Sequence, residues 1–303
     1  THCQGEVVNR EVGKVICLED SCDTPTAQRY GLGFFIGADL IHSYHDHRYI
    51  SNRIAVLRLK SPYKDNIKKG PRRQATNFIC IINVYAPTSQ FALRHPEEYE
   101  GFYETLNKVV EDYRKTSSFL IVAGDCNSKL GMRECTDSGD NESFMGPFGK
   151  GTRNRNGGYF ASFLDTQHLF AVNTQFKHAM RHRTTWNGDI TNSSGKLIKV
   201  RNQIDYIMVS QCYKKAVQQA RSYHGHTFSS DHAIIAATLR LDVVYSMPRG
   251  STRKLGRGKP ECEAEGCWPR GQSTQNKKVR NLGQQVDLRA LADSNELQQV
   301  YSK

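Results

Sequence analysis

The sequence predicts an α+β fold or an α/β sandwich, and three observations point there. Apolar runs of strand length recur along most of the chain. Two segments with helical spacing lie between them, well separated. The composition, 38% hydrophobic and 24% charged over 303 residues, is that of a globular protein rather than a disordered one. No run of about 18 apolar residues occurs, so no membrane-spanning helix is expected. The chain begins at Thr1 with no apolar stretch after a basic start, so no signal peptide is visible and the natural start is expected upstream.

Taken in order, residues 1–29 are weakly patterned, with Val15–Leu18 as a short strand. The segment 31-GLGFFIG-37 follows, then 53-RIAVLRLK-60, where Ile54, Val56, Leu57 and Leu59 sit among basic positions as in a half-buried strand. A basic loop spans 61–76. The run 77-NFICIINVY-85 reads as a buried strand stopped by Pro87. Residues 96–115 read as a helix: Pro96 suits its first turn, and Glu97 and Glu98 suit its positive N-terminus. Tyr99, Phe102, Tyr103, Leu106, Val109, Val110 and Tyr113 make its apolar stripe. Strand 118-SFLIVAGD-125 ends at Gly124-Asp125, and a long loop, 128–155, contains five Gly and little apolar content. A second helix is expected at 157–168, with Tyr159, Phe160, Phe163 and Leu164 on one side. Short strands are expected around 169–173, 183–187, 203–209 and 232–240. From Met247 the aliphatic residues nearly vanish. The expected organisation is therefore a domain over 1–243, a basic linker over 244–283 and an isolated helix over 284–303.

The net charge of +12 fits a polyanionic partner, although solubility alone is a second reading. Residues 246–303 hold 11 Lys and Arg against 6 Asp and Glu, so the excess is densest there. Nine Cys without a repeating spacing argue against a disulfide framework and for a reducing, intracellular compartment. Cys262 and Cys267 lack the second pair that a zinc finger needs.

Four segments place polar residues where an apolar strand ends: 83-NVYAPT-88, 123-AGDCNSKLG-131, 203-QIDYIM-208 and 229-SSDHA-233. A strand exit is a rigid platform open to solvent, which is what a site requires. Singly, each residue also reads as a turn former or a core residue. Together they supply what phosphodiester hydrolysis needs: Asp125 to orient and deprotonate a water, Asn127 on the same side of an extended segment, and Asp231 as a hard oxygen ligand suited to Mg²⁺ or Mn²⁺. His232 is expected as a neutral imidazole oriented by Asp205, and Tyr85 as a hydroxyl donor to a phosphate oxygen or leaving group.

With "YGLGFFIG", "ISNRIAVLRL", "INVYAPTSQ", "FLIVAGDCNSKLG", "MGPFGKGTRNRNG", "HRTTWNG" and "QIDYIMVS…SSDH" in this order, the chain resembles the endonuclease/exonuclease/phosphatase (DNase I-like) superfamily. Within it, the resemblance is to the apurinic-endonuclease-like domain of RTE-type non-LTR retrotransposons and to craniofacial development protein 2-like sequences. It implies a four-layer α/β sandwich, two packed mixed β-sheets flanked by helices. It also implies a Mg²⁺- or Mn²⁺-dependent DNA endonuclease with Tyr85, Asp125, Asn127, Asp205 and His232 as catalytic residues. Asp125, Asn127, Asp231 and His232 would be the metal-binding group. Trp186 is expected to support the site and Ser230 to tie its loop. DNA contacts are expected from Arg153, Arg155 and Asn156 in an exposed loop and from Arg181 and Arg183. The expected partners are DNA, with no membrane, and in a complete element a reverse transcriptase region; the protein is expected to be monomeric and nuclear. The family also places an Asn-ended strand and a Glu-ended strand before the "GVGF"-like segment. Only 30 residues precede Gly31, and Glu19 is the sole candidate for that carboxylate, so the chain reads as an N-terminally truncated copy. A phosphatase of the same fold and a catalytically dead nucleic-acid- or chromatin-binding remnant are the competing readings.

Overall fold

In the computed structural model, residues 3–9, 13–19, 31–62, 78–133, 144–191, 195–225 and 230–242 are described. Most of the basic loop 61–76, the expected linker and terminal helix, and the Cys262–Cys267 pair lie outside them. The chain divides into two compact units, Thr1–His224 with Ser230–Met247 and Gly225–Ser229 with Pro248–Lys303; every element below belongs to the first.

The apolar runs assemble as a six-stranded sheet. Its strands are β4 (Tyr44–Ser51), β5 (Ile54–Lys60), β6 (Phe78–Tyr85), β7 (Phe119–Asp125), β8 (Leu169–Ala171) and β11 (Asp205–Ser210), in the order β4-β5-β6-β7-β11-β8. Only β6 and β7 run parallel; the other pairings are antiparallel, which makes the sheet mixed. The parallel step needs a crossover. It is supplied by α1 (Ser89–Arg94) and α2 (Pro96–Thr116), while α3 (Arg155–Thr166) leads into β8.

Alternation along the strands gives the sheet two buried faces. Ile54, Val56, Cys80, Ile82, Val84, Leu120, Val122, Tyr206 and Met208 pack on α2 and α3, whose Tyr99, Phe102, Leu106, Val110, Phe160 and Leu164 share the same core. The intervening residues Ala55, Leu57, Ile79, Phe119 and Val209 pack on a second sheet layer. That layer comprises an antiparallel sheet of β1 (Cys3–Asn9), β2 (Gly13–Glu19) and β3 (Gly31–Gly37), and an antiparallel pair, β12 (Val217–Tyr223) with β13 (Ile234–Leu239). A further hairpin joins β9 (Trp186–Thr191) to β10 (Leu197–Asn202). Helix layer, sheet and second sheet layer make an α/β sandwich. Among the described residues no helix is long and apolar enough to cross a membrane.

α2 occupies the span that its apolar stripe predicts, with Pro96 in the first turn and Tyr99, Phe102, Tyr103, Leu106, Val109 and Val110 buried. Burying six such side chains contributes on the order of 10 kcal/mol as an upper bound, so packing, more than propensity, holds this helix. α3 starts two residues earlier than expected. Asn154 caps it by accepting a hydrogen bond from the Gly157 N–H at 2.8 Å, and Tyr159, expected on the buried side, is 37% exposed. The segment before β3, expected to hold one short strand, holds two. The loop after β7, expected to be almost without apolar anchors, buries Leu130, Phe144 and Met145.

Candidate active site

Register brings three of the expected residues into one row. Tyr85 is the last residue of β6 and Asp125 the last of β7, paired in the parallel ladder; Asp205, the first of β11, pairs with Asp125 from the other side. All three are in phase with the strand residues that face the second sheet layer, so they sit at the rim between the two layers. The β6–β7 exit is unusually close. Gly124 has φ +146°, and a Cβ there would lie 1.9 Å from the Val84 carbonyl oxygen, so only glycine lets the strands meet before Asp125. Asn127 has φ +44° rather than the extended backbone expected of it. That turn sends its amide back: the backbone N–H donates to Asp125 Oδ1 at 2.9 Å, while Nδ2 donates to Asp125 Oδ2 at 3.1 Å and to the Ala86 carbonyl at 2.8 Å. Asn127 therefore clamps the carboxylate and ties the two strand exits together.

His232 precedes β13 and joins the row through Asp205, with Nδ1 at 3.0 Å and 3.1 Å from the two carboxylate oxygens. Two buried residues that sequence reasoning missed place this pair. Thr185 Oγ1 accepts hydrogen bonds from the N–H groups of Ile204 and Asp205, and its carbonyl accepts one from Ala233, next to His232. Asn173 Nδ2 donates to the Asp205 carbonyl at 3.1 Å. Both are small polar residues among others, and neither periodicity nor spacing marks them. Ser230 Oγ accepts from the His232 N–H at 3.1 Å. Trp186 lies across Gly188, where a Cβ would come within 2.0 Å of its ring, and Nε1 donates to Asp231 Oδ2 at 2.8 Å. Arg53, also missed, reaches the far side of the row. Its Nη1 donates to the Tyr85 carbonyl at 3.3 Å, and its guanidinium lies 5.4 Å from the Tyr85 ring and 5.3 Å from that of Phe91.

The row concentrates negative charge. Burial first, and then the neighbouring Asp205 carboxylate, push the Asp125 carboxyl up to about 7. The hydrogen bond that His232 Nδ1 donates to Asp205 pushes the ring up to about 9, which favours its protonated form at neutral pH over the neutral imidazole expected from the sequence. One ligand atom from each of Asp125, Asp205 and His232 falls within 4.8 Å of the others. Oxygen-rich donors at that spacing, with one carboxyl disfavoured as an anion by its neighbour, fit a hard divalent cation. Asp205, expected to orient the histidine, belongs to this compact set. Asp231 is exposed and engaged by the Trp186 indole. Glu19 ends β2 in register with Gly31; its side chain is outside the described residues.

The expected DNA-contact residues are placed unevenly. Asn156 is 3% exposed inside α3, which corrects its expected place on an exposed loop. Arg153 is exposed, but its Nε donates to the Leu130 carbonyl and its guanidinium packs over Phe144. Arg155 and Arg181 are exposed, whereas Arg183 is half-buried, with Nη1 3.4 Å from the Gly149 carbonyl.

Over 165 residues the chain is 33% identical to craniofacial development protein 2 of Bos taurus and, equally, of Tragulus javanicus. The match takes in 54% of this chain and 25% of each relative, so the chain spans about a quarter of those proteins' length. Among solved structures it is similar to the endonuclease domain of TRAS1, a telomere-specific non-LTR retrotransposon (14% identity, 75% of this chain and 80% of that one, TM-score 0.46). It is also similar to the 3′–5′ exonuclease NExo of Neisseria meningitidis (17%, 74% and 79%, 0.47) and to the AP endonuclease LMAP of Leishmania major (14%, 75% and 70%, 0.49). Residues 79–236 of the 303, which carry Tyr85, Asp125, Asp205 and His232, match the endonuclease–reverse transcriptase family, and the chain belongs to that family.

Proposed function

We propose that this chain is the endonuclease region of a retrotransposon-type protein and hydrolyses phosphodiester bonds of DNA with Mg²⁺ or Mn²⁺. The observation that carries the reading is the convergence of Asp125, Asp205 and His232 on one rim, with Tyr85 beside them. Asp125 and Asp205 would hold the cation, together with the Asn127 amide oxygen. When bound, the cation would neutralise charge on the phosphate. Asp125, locked by Asn127, orients a water and accepts its proton. Protonated His232, fixed by Asp205 at Nδ1, presents its other ring nitrogen as a donor to a phosphate oxygen that gains charge. The Tyr85 hydroxyl serves the same phosphate from the β6 side, with Arg53 holding the Tyr85 backbone and stacking near its ring.

A supercoiled-plasmid nicking assay in Mg²⁺ and in Mn²⁺ tests the proposal. Nicking by the wild type is expected, with loss of roughly a thousandfold or more in Asp125→Ala. Metal-independent nicking, or equal nicking by the variant, would overturn it.

A further inference from the structure

Four cations from four separate segments gather close to one another: Lys129, Lys150, Arg183 and Arg201. Glycines bring their loops together. A Cβ on Gly149 would sit 1.9 Å from the Gly131 carbonyl oxygen, one on Gly131 would sit 2.5 Å from the Arg153 nitrogen, and the Met132 N–H donates to the Gly151 carbonyl at 2.7 Å. Lys129 is held there by its backbone, which exchanges hydrogen bonds with Asn154. The Lys150 ammonium donates to the Arg201 carbonyl, and Arg183 Nη1 reaches the Gly149 carbonyl. The array borders the row through Trp186. Asn202, next to Arg201, pairs with Trp186, whose indole holds Asp231 beside His232.

No carboxylate among the described residues pairs with any of the four. The Arg183 Nε is buried with no partner. Lys150 is pulled below its ordinary range by burial and then by Lys129, Arg201 and Arg183 pressing on it. Like charges held together by backbone contacts, with no ion-paired carboxylate among the described residues, make a surface that attracts an anion.

We propose that Lys129, Lys150, Arg183 and Arg201 form a binding surface for the phosphate backbone of duplex DNA alongside the Asp125–Asp205–His232 site. The proposal rests on the nuclease reading above and names where one arm of that substrate lies. It also moves the DNA contacts away from Arg153, Arg155 and Asn156.

The test is anisotropy of a labelled DNA duplex titrated with the full chain across a salt series. Each phosphate contact contributes about 0.9 to the slope of log K against log salt. Lys150→Gln/Arg201→Gln should therefore flatten the slope by about 1.8, and Lys129→Gln by about 0.9. Lys108→Gln, exposed on α2, should leave it unchanged. Lys150→Arg/Arg201→Lys should restore the wild-type slope. Lys129→Gln, whose side chain makes no structural hydrogen bond, carries the test if the double variant fails to fold. An unchanged slope in Lys129→Gln and in a folded double variant, beside a steep wild-type slope, would overturn this surface and leave the nuclease reading intact. Absent or salt-independent binding by the wild type would overturn the nuclease reading itself. Salt-sensitive binding of a single-stranded RNA alone would overturn the assignment to duplex DNA.

Discussion

The two ends of the six-stranded sheet handle charge in opposite ways. Toward the end where β6 and β7 begin, Arg58 of β5 and Asp46 of β4 face each other across the ladder and form a two-pronged ion pair. The guanidinium beside Asp46 lowers that carboxyl, and Asp46 raises Arg58 in return. Where β6 and β7 end, Asp125 meets Asp205, and the first carboxyl is pushed up instead of down. Different strands of the one sheet carry the two clusters, β4 and β5 the first and β7 and β11 the second. One is compensated and serves the sheet; in the other, two carboxylates share one histidine, and burial with mutual repulsion disfavours the Asp125 anion.

The largest expected effect tests whether the charged end is built by backbone contact. Gly124→Ala forces a methyl against the Val84 carbonyl, and a loss of about 3 kcal/mol in chemical denaturation is expected, with nicking abolished. A stability loss below about 0.5 kcal/mol would show that β6 and β7 can part without consequence.

Titration sharpens the comparison. Asp125 is raised, so its contribution is full below its ordinary value of 3.8 and is lost as pH rises through about 7. His232 is also raised, so its contribution is full below 6.5 and is lost as pH rises through about 9. Both terms fall in the same direction, and the metal-free protein should lose about 5 °C in Tm between pH 6 and pH 9. Saturating Mg²⁺ or Mn²⁺ should raise Tm more at pH 8 than at pH 6, because protons compete for Asp125. A Tm rise that is the same at both pH values would remove Asp125 from the cation site.

The smallest effects have opposite signs. At pH 8 without metal, Asp125→Asn should stabilise the fold by about 1 kcal/mol, since it removes the repulsion with Asp205. Asp46→Asn, which breaks a partly exposed ion pair, should destabilise it by about 0.5 kcal/mol after solvent screening. If both substitutions destabilise, the clamp from Asn127 outweighs the repulsion, and the two ends differ less than their charges imply.

Much of this arrangement is legible in the sequence. Tyr85, Asp125 and Asp205 end or begin apolar runs, and such runs pair in a sheet whose exits align. Long periodic segments such as α2 announce themselves for the same reason. What escaped has physical causes. β10, with Leu197 at 63% and Ile198 at 38% exposure, buries too little to leave an alternating pattern. β12 carries few apolar residues, yet Val217 and Ala220 are enough to seat it. The positive φ of Asn127 follows from what surrounds it, as does the burial of Asn156. The protonation of His232 depends on a carboxylate 27 positions earlier, and the Lys150 array on segments up to 72 positions apart; neither is a local property.

The indole of Trp186 gives the site a spectroscopic handle. The chain holds two tryptophans, and Trp268 lies outside the described residues. Trp186 donates its N–H to Asp231, one residue from His232, so its excited state senses the charge and hydration of that carboxylate. With Trp268→Phe as background, emission becomes a single-residue signal from the edge of the catalytic rim. Titrations with Mg²⁺, Mn²⁺ or a DNA duplex can then be read on the unlabelled protein in real time.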